Sequence, residues 1–589
     1  IVADQPGATC FDRLIELVRS KGDVRTLFEL LGDRLTWIAA GNAPPSAAVP
    51  LLSERAQLRR TLGDVRGAAI DLDQLLAVAP EHKDALRRRA DIAGELGEAA
   101  AAVALWRRYL AVETDTSARG DAELVLARTL AEDLGDVNAA IEQVERVIAQ
   151  RPGDVMLRER LVGLATQGQV WPRVVRELRE IARLRGTTAE RARDELRLAR
   201  VARDHLGDPA EAVAAFERGR QLDPLHLDLL REHAELAGRQ RAGGREQVLI
   251  QGIEAFRRGI DTAPTSVALY DRLATVLGWA GDKDAQWLAL VALEALGAPG
   301  GEQRALIAAG RERPAPPPSR QLLEPIARAA LRATGSTGVA ADLWRAMAPS
   351  VTAALAVDPA KLGFGRGDRI AMKALGKKYE PLAAALASLG VDDVELYVSE
   401  GRAGQARVLS GETPIVCCGA DVAAGATAAA RFLLGRAAWQ AAEASAALVE
   451  LKDAEVAWFV LAALKVAGVQ APAALTARVA GDDAAIAERT RLIDKHITRR
   501  DKKAVAALAS RLGELGDLVA WRQGMLASSH RAGLWLGGDL GIALAALDVG
   551  RGGRHLDPTT VDLVRWSVSA AHAALREGQR GRSAAAPGG

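Results

Sequence analysis

The chain has 589 residues, 77 of them Lys or Arg and 75 Asp or Glu, so the formal net charge is only +2 and no global field marks it for nucleic acid. Charged residues make up 26% and aromatics 4%, an ordinary composition for a folded chain, with alanine filling much of the apolar share as close helix packing requires. Three cysteines, two of them adjacent at Cys417 and Cys418, exclude a disulfide framework, and apolar runs such as 456–464 fall far short of the about 20 residues that cross a bilayer.

In chain order, the opening IVADQPGATC lacks an initiator methionine, a basic start and an apolar run, and so does not read as a signal peptide. The expected location is cytoplasmic, with export left open should the true start be missing. Residues 11–40 read as a first helical hairpin: Phe11, Leu14, Ile15 and Val18 form one stripe, Lys21-Gly22-Asp23 a turn, and Leu27, Leu30 and Leu31 a second stripe. Pro44-Pro45 then interrupts.

From about 49 one sentence is rewritten several times. GDVRGAAIDLDQLLAVAP starts at Gly63, GDVNAAIEQVERVIAQRP at Gly135 and GDPAEAVAAFERGRQLDP at Gly207, with weaker copies at Gly97, Gly168 and Gly281. A glycine permits the turn, and Ala68, Ala102, Ala140 and Ala212 let two helices approach. The larger Leu72, Trp106, Val144 and Phe216, one turn on, fill the gap between them. Pro80, Pro152 and Pro224 close the second helix, and Thr114 stands where the Gly97 copy should have its proline. This pattern resembles the tetratricopeptide repeat (TPR), in divergent form. The usual Trp, Leu-Gly and Tyr of the first helices are mostly missing, and the steps from Gly97 to Gly135 and from Gly168 to Gly207 exceed the standard period of about 34 residues.

The chain reads as mainly α, with a solenoid of TPR-like hairpins occupying 1–310. Gly243-Gly244 is an irregular joint before a longer helix at 245–260, and Trp279 and Trp287 cap the end of the stack. Residues 311–320, RERPAPPPSR, read as a Pro-rich linker. A helix-rich α+β domain with a small sheet follows over 321–576, then a disordered tail over 577–589. Within that domain helices are expected at 321–333, 339–356, 368–389 and 424–448. The strand material is confined to 391–399, 406–409 and 414–418, of which VDDVELYVS alternates as a half-buried strand does.

Two strands, a helix bearing Gly435-Arg-Ala-Ala-Trp439 and a later helix bearing HRAGLWLGGD over 530–539 resemble the peptidase unit of M48-like zinc metallopeptidases. The family's His-Glu-x-x-His is replaced by Gly435, Arg436, Ala437, Ala438 and Trp439, so the resemblance implies a pseudoenzyme without metal or cofactor. Other candidates read as structure. The histidines at 82, 205, 226, 233, 496, 530, 555 and 572 include no i, i+4 pair and are expected at surface or groove positions. Cys417-Cys418 ends a strand with no His or CxxC partner beside it and reads as core. Gly363-Phe-Gly-Arg-Gly-Asp368 lacks the lysine and preceding strand of a phosphate loop and reads as a turn. The basic run KHITRRDKK, 495–503, has no aromatic partners for nucleic acid and reads as a solvated helix face.

No catalytic constellation emerges, and the expected function is a protein–protein interaction scaffold. By resemblance to large bacterial TPR proteins, it would work as part of a larger assembly. The TPR pattern implies that Gln57, Arg60, Arg87, Asp91, Glu132, Arg197 and Asp204 point into a groove holding a mixed-charge protein partner, with no nucleic acid and no small molecule. The alternative is a hydrolase whose C-terminal domain acts on substrates that the repeats recruit.

Overall fold

Each Gly-Asp pair performs two tasks at one turn. Gly63, Gly135, Gly207 and Gly281 end a first helix with φ of 82°, 69°, 61° and 76°, the left-handed region where glycine carries no Cβ penalty. The next residue opens the second helix: Asp64, Asp136, Asp208 and Asp282 accept the backbone N–H of Gly67, Ala139, Glu211 and Ala285, satisfying a donor that a helix start leaves orphaned. The Gly168 copy departs from this. Gly168 has φ −80° and it is Gln169, at φ 56°, that turns the chain, so the repeat is out of register by one residue there.

The structure, a computed structural model, describes residues 9–297, 299–313, 318–411, 413–547 and 556–585. It divides into two compact units, Ile1–Arg241 and Ala242–Gly589. The first holds hairpins α1 (Thr9–Lys21) with α2 (Val24–Trp37), α3 (Ala48–Thr61) with α4 (Val65–Val78), and α5 (Lys83–Glu95) with α6 (Ala99–Val112). Next come α7 (Thr116–Glu132) with α8 (Val137–Gln150), α9 (Val155–Gln167) with α10 (Trp171–Leu184), α11 (Thr188–Val201) with α12 (Pro209–Leu222), and α13 (Leu227–Gln240). From α3 to α13 each helix packs on the next. Ala68, Ala102, Ala140 and Ala212 are at most 1% exposed, and Leu72, Trp106, Val144 and Phe216 are buried beside them, as the repeat pattern requires. Where proline is missing after α6, the Glu113 carboxylate closes the turn by accepting the N–H of Thr114 and of Asp115, at 2.7 and 2.9 Å.

The second unit begins with α14 (Gly244–Thr262), α15 (Val267–Ala280), α16 (Lys283–Leu296) and α17 (Gly301–Arg311). The sequence pattern groups these helices with the repeats, but they share a unit with everything that follows. Guanidinium–carboxylate pairs bind them to it: Arg311 to Asp539 at 2.8 Å, Arg565 to Asp261 at 2.9 Å and Arg576 to Asp284 at 2.9 Å. Trp287 is no terminal cap, since its Nε1–H donates to Ile307 of α17. Of the expected linker, 314–317 lie outside the described residues, while Arg311 belongs to α17 and Arg320 pairs with Glu380.

Then follow α18 (Pro325–Ala330), α19 (Val339–Ala354), β1 (Arg369–Ile370), α20 (Glu380–Ser388), β2 (Glu395–Ser399), β3 (Ala406–Leu409) and β4 (Ile415–Gly419). The sheet order is β1-β2-β4-β3, with β2 and β4 parallel and both edges antiparallel to their neighbours. The strand β1 falls where the pattern predicts helix, and only 380–388 of that stretch is α-helical.

After α21 (Ala420–Ala423) come α22 (Ala428–Ala442), α23 (Ala446–Glu450), α24 (Asp453–Val466), α25 (Ala473–Arg478), α26 (Asp483–His496) and α27 (Arg499–Ala507). The last are α28 (Leu518–Gly537), α29 (Leu540–Ala546), α30 (Pro558–Ser567) and α31 (Ala570–Ala585). The long helix expected to 448 breaks at Ala444, whose φ is 50° and whose carbonyl accepts Trp344 Nε1–H. The tail expected to be disordered from 577 is helical through Ala585, and 586–589 lie outside the described residues.

Candidate partner-binding face

Charged side chains on successive first helices meet one another about one repeat apart. On α3 and α5, Arg60 pairs with Glu95 at 2.5 Å and Arg88 Nη1 donates to Gln57 Oε1 at 3.5 Å. Arg87 and Asp91 belong to the same group: burial lifts the Asp91 carboxyl above its ordinary value, against the pull of Arg87 and Arg60. Four of the seven candidate residues, Gln57, Arg60, Arg87 and Asp91, are thus brought together, with Gln57, Arg60 and Arg87 exposed.

Arg197 and Asp204 lie in another cluster. Arg197 of α11 holds Glu159 of α9 at 2.9 Å, and Arg185 holds the other oxygen of that carboxylate at 2.8 Å. Arg203 pairs with its neighbour Asp204 at 2.7 Å and reaches Glu232 of α13 at 2.9 Å, as does Arg200 at 2.6 Å. The hydrogen bond from Arg203 holds the Asp204 carboxyl below its usual range. Glu132, the last residue of α7, is exposed and joins neither group. Glu95, Glu159 and Glu232 are members that the repeat pattern does not single out. Their spacing of about one repeat from Arg60, Arg197 and Arg200 is the signal that marks them.

These pairs do structural work as well as presenting charge. Most are partly exposed, where a pair contributes roughly 0–1 kcal/mol, so they join hairpins weakly and leave both signs facing water. Of the histidines expected at surface or groove positions, His205 is exposed, whereas His233, His530 and His572 are buried. His233, read as a surface or groove residue, is buried against Phe216 with ring centroids 5.8 Å apart, and burial, aided by Arg220, pushes its pKa down to about 4. His82 and His226 cap α5 and α13 by accepting the N–H of Ala85 and Leu229, while His555 lies outside the described residues.

In the second unit, the positions matched to a metal motif do packing work. A Cβ on Gly435 would collide with the Ala532 carbonyl, and one on Gly533 with the Phe432 ring, so α22 and α28 meet through glycines. Arg436 has its guanidinium over Phe432. His530 is buried, with Nδ1 unpaired, and its pKa is pushed down to about 3 by burial and by Arg436. No group of three or more His, Cys, Asp or Glu able to hold a metal ion occurs among the described residues. Burial pushes the thiols of Cys417 and Cys418, in β4, up to about 12, so neither is a ready nucleophile. The 363–368 segment is a turn with Gly363 at φ 84° beside Arg402. The basic run spans the end of α26 and the start of α27, where Lys502 pairs with Asp494. No helix among the described residues is long and apolar enough to cross a membrane.

No protein-family model matches the chain, and no curated protein matches it. Among solved structures it is similar to MamA protein, at 18% identity over 30% of this chain and 90% of that one, with a TM-score of 0.24. It is likewise similar to YrrB, described as a TPR protein with an unusual peptide-binding site, at 12% identity over 31% and 91% with a TM-score of 0.23. A tetratricopeptide repeat protein from Parabacteroides merdae matches at 16% identity over 46% of this chain and all of its own length, with a TM-score of 0.24.

Proposed function

We propose that the chain is a non-enzymatic scaffold whose first-helix face, on the first unit, holds a polypeptide partner bearing both signs of charge. The observation that carries this reading is the meeting of Gln57, Arg60, Arg87 and Asp91 with Glu95 across α3 and α5. Backbones there are fixed by buried alanines behind them, while the polar heads stay in water, so a partner encounters a preorganised row of donors and acceptors without a folding cost. Alternating charge favours register and specificity over bulk affinity. Arg197 and Asp204, in their separate cluster, and Glu132 are the further residues this reading assigns to the partner.

The test is charge reversal in the full chain. Arg60→Glu combined with Arg87→Glu should weaken capture of partners from native extract by about tenfold or more while lowering stability only by the roughly 0–1 kcal/mol per pair that exposed ion pairs contribute. The same substitutions at Arg107 and Arg108, on the second helix α6, should have little effect. Equal loss from both pairs would contradict the reading.

A further inference from the structure

Among the described residues, one cleft in the second unit carries more positive charge than its own carboxylates neutralise. It has a volume of about 140 Å³ and lies where the start of α22 meets the end of α28, beside α16, α17 and α31. Five guanidiniums line it, those of Arg311, Arg313, Arg431, Arg576 and Arg580. Three carboxylates answer them. Arg311 is held by Glu294 at 2.6 Å and Asp539 at 2.8 Å, and Arg576 and Arg580 share Asp284. Arg313 and Arg431 have no carboxylate within ion-pair distance among the described residues.

Arg431 is the more telling of the two. Its Nε is buried without a hydrogen-bond partner, and burial lowers its proton affinity. A buried donor on a charged group left unmade is costly; Nε itself has almost no accessible surface, so an anion in the cleft would act on Arg431 by offsetting its charge. The elements around the cleft pack closely. A Cβ on Gly310 would strike the Trp287 ring, one on Gly541 would come within 2.8 Å of Arg311 Nη2, and one on Gly537 within 2.9 Å of the Ala428 carbonyl. Ala428 is the first residue of α22, a helix of 15 residues, whose N-terminal N–H groups and dipole add to the positive field.

We propose that this cleft binds a phosphoryl group, either inorganic phosphate or the phosphate of a larger molecule. Planar guanidiniums match phosphate oxygens two at a time, and the excess of two positive charges among the described residues suits a dianion better than a carboxylate. The cleft has room for a tetrahedral oxyanion. A larger molecule would leave its remainder outside. This site is independent of the first-helix face and stands or falls without it.

The experiment is calorimetric titration of the full-length protein at constant ionic strength with inorganic phosphate, phosphoserine and acetate. Saturable phosphate binding is expected, with acetate at least about tenfold weaker. Binding of phosphoserine as tight as that of phosphate would assign the site to a phosphoester, and binding of phosphate alone would assign it to the free anion. Arg431→Gln should weaken binding at least about tenfold, with Arg183→Gln on α10 as the control that changes nothing. Without added anion, Arg431→Gln should melt at or above the wild-type temperature, because it removes an unneutralised charge. Should that variant fail to fold, the exposed Arg313→Gln supplies the same comparison. No saturable phosphate binding, equal binding of acetate, or wild-type affinity in the arginine variants would overturn the proposal.

Discussion

Gln169 and Gly135 make the same turn with different residues, and that difference is measurable. Gly135 has φ 69°, and a Cβ added there would meet no atom within 4 Å, so its lack of a side chain matters only to the backbone. Gly135→Ala should therefore cost about 1 kcal/mol from left-handed strain alone. Gln169 already bears that strain at φ 56°, and Gln169→Gly should stabilise by a similar amount. Urea midpoints of the two variants check the pair, and a shift of Gln169→Gly to lower urea would contradict the turn geometry. At this scale the sequence is readable where chemistry is local: a Gly-Asp pair names both a left-handed residue and a cap. It is not readable where a polar residue interrupts an apolar stripe. Asp71 is fully buried on α4 between Ala68 and Leu72, held by Arg55 at 2.5 Å and Arg59 at 3.1 Å from α3. Nothing in the α4 segment alone announces partners on the preceding helix.

Helix against helix, the repeat register makes a sharper claim. Ala140 is fully buried where α8 meets its neighbours, so Ala140→Leu should overpack the hairpin and cost roughly 1–3 kcal/mol. Unchanged melting would place that alanine on the surface. The α22 and α28 pair achieves the same closeness through glycine, with Gly435 admitting the backbone of Ala532. Beside it His530, facing Arg436, Asp557 and Asp562, stays neutral in the native state with a pKa of about 3. The unfolded chain takes up that proton near pH 6.5. Stability is therefore intact above about 6.5 and declines as pH falls toward 3, by about 2 kcal/mol at pH 5 from His530 alone. Comparing urea midpoints at pH 7 and 5 tests this, since His530→Gln should flatten the dependence; an unchanged slope would mean the imidazole is hydrated. Helices here are legible as apolar periodicity, whereas the break at Ala444 and the two-residue strand β1 are not. Both depend on distant partners, Trp344 for one and Tyr397 and Leu396 for the other.

For the molecule as a whole, the proline-rich stretch suggests one division and the packing makes another, at Arg241 and Ala242. The helices from 244 to 311 belong with the later chain because Asp284 meets Arg576 and Arg257 donates to the Val568 carbonyl. Such pairings join residues some three hundred apart, which no local pattern can announce. Burial raises the Asp284 carboxyl while the two arginines pull it down and win, so the carboxylate at this join is held in its charged form. The function proposed for the first unit rests instead on surface side chains, and it is tested most directly by where a partner touches. A photo-crosslinking residue would be placed singly at position 87, on the first-helix face, and at position 70, where Ile70 is 55% exposed on the second helix α4. With the full chain in native extract, position 87 should yield a discrete polypeptide adduct that Arg60→Glu abolishes, and position 70 should yield none. The same adduct at position 70, with none at 87, would contradict the account.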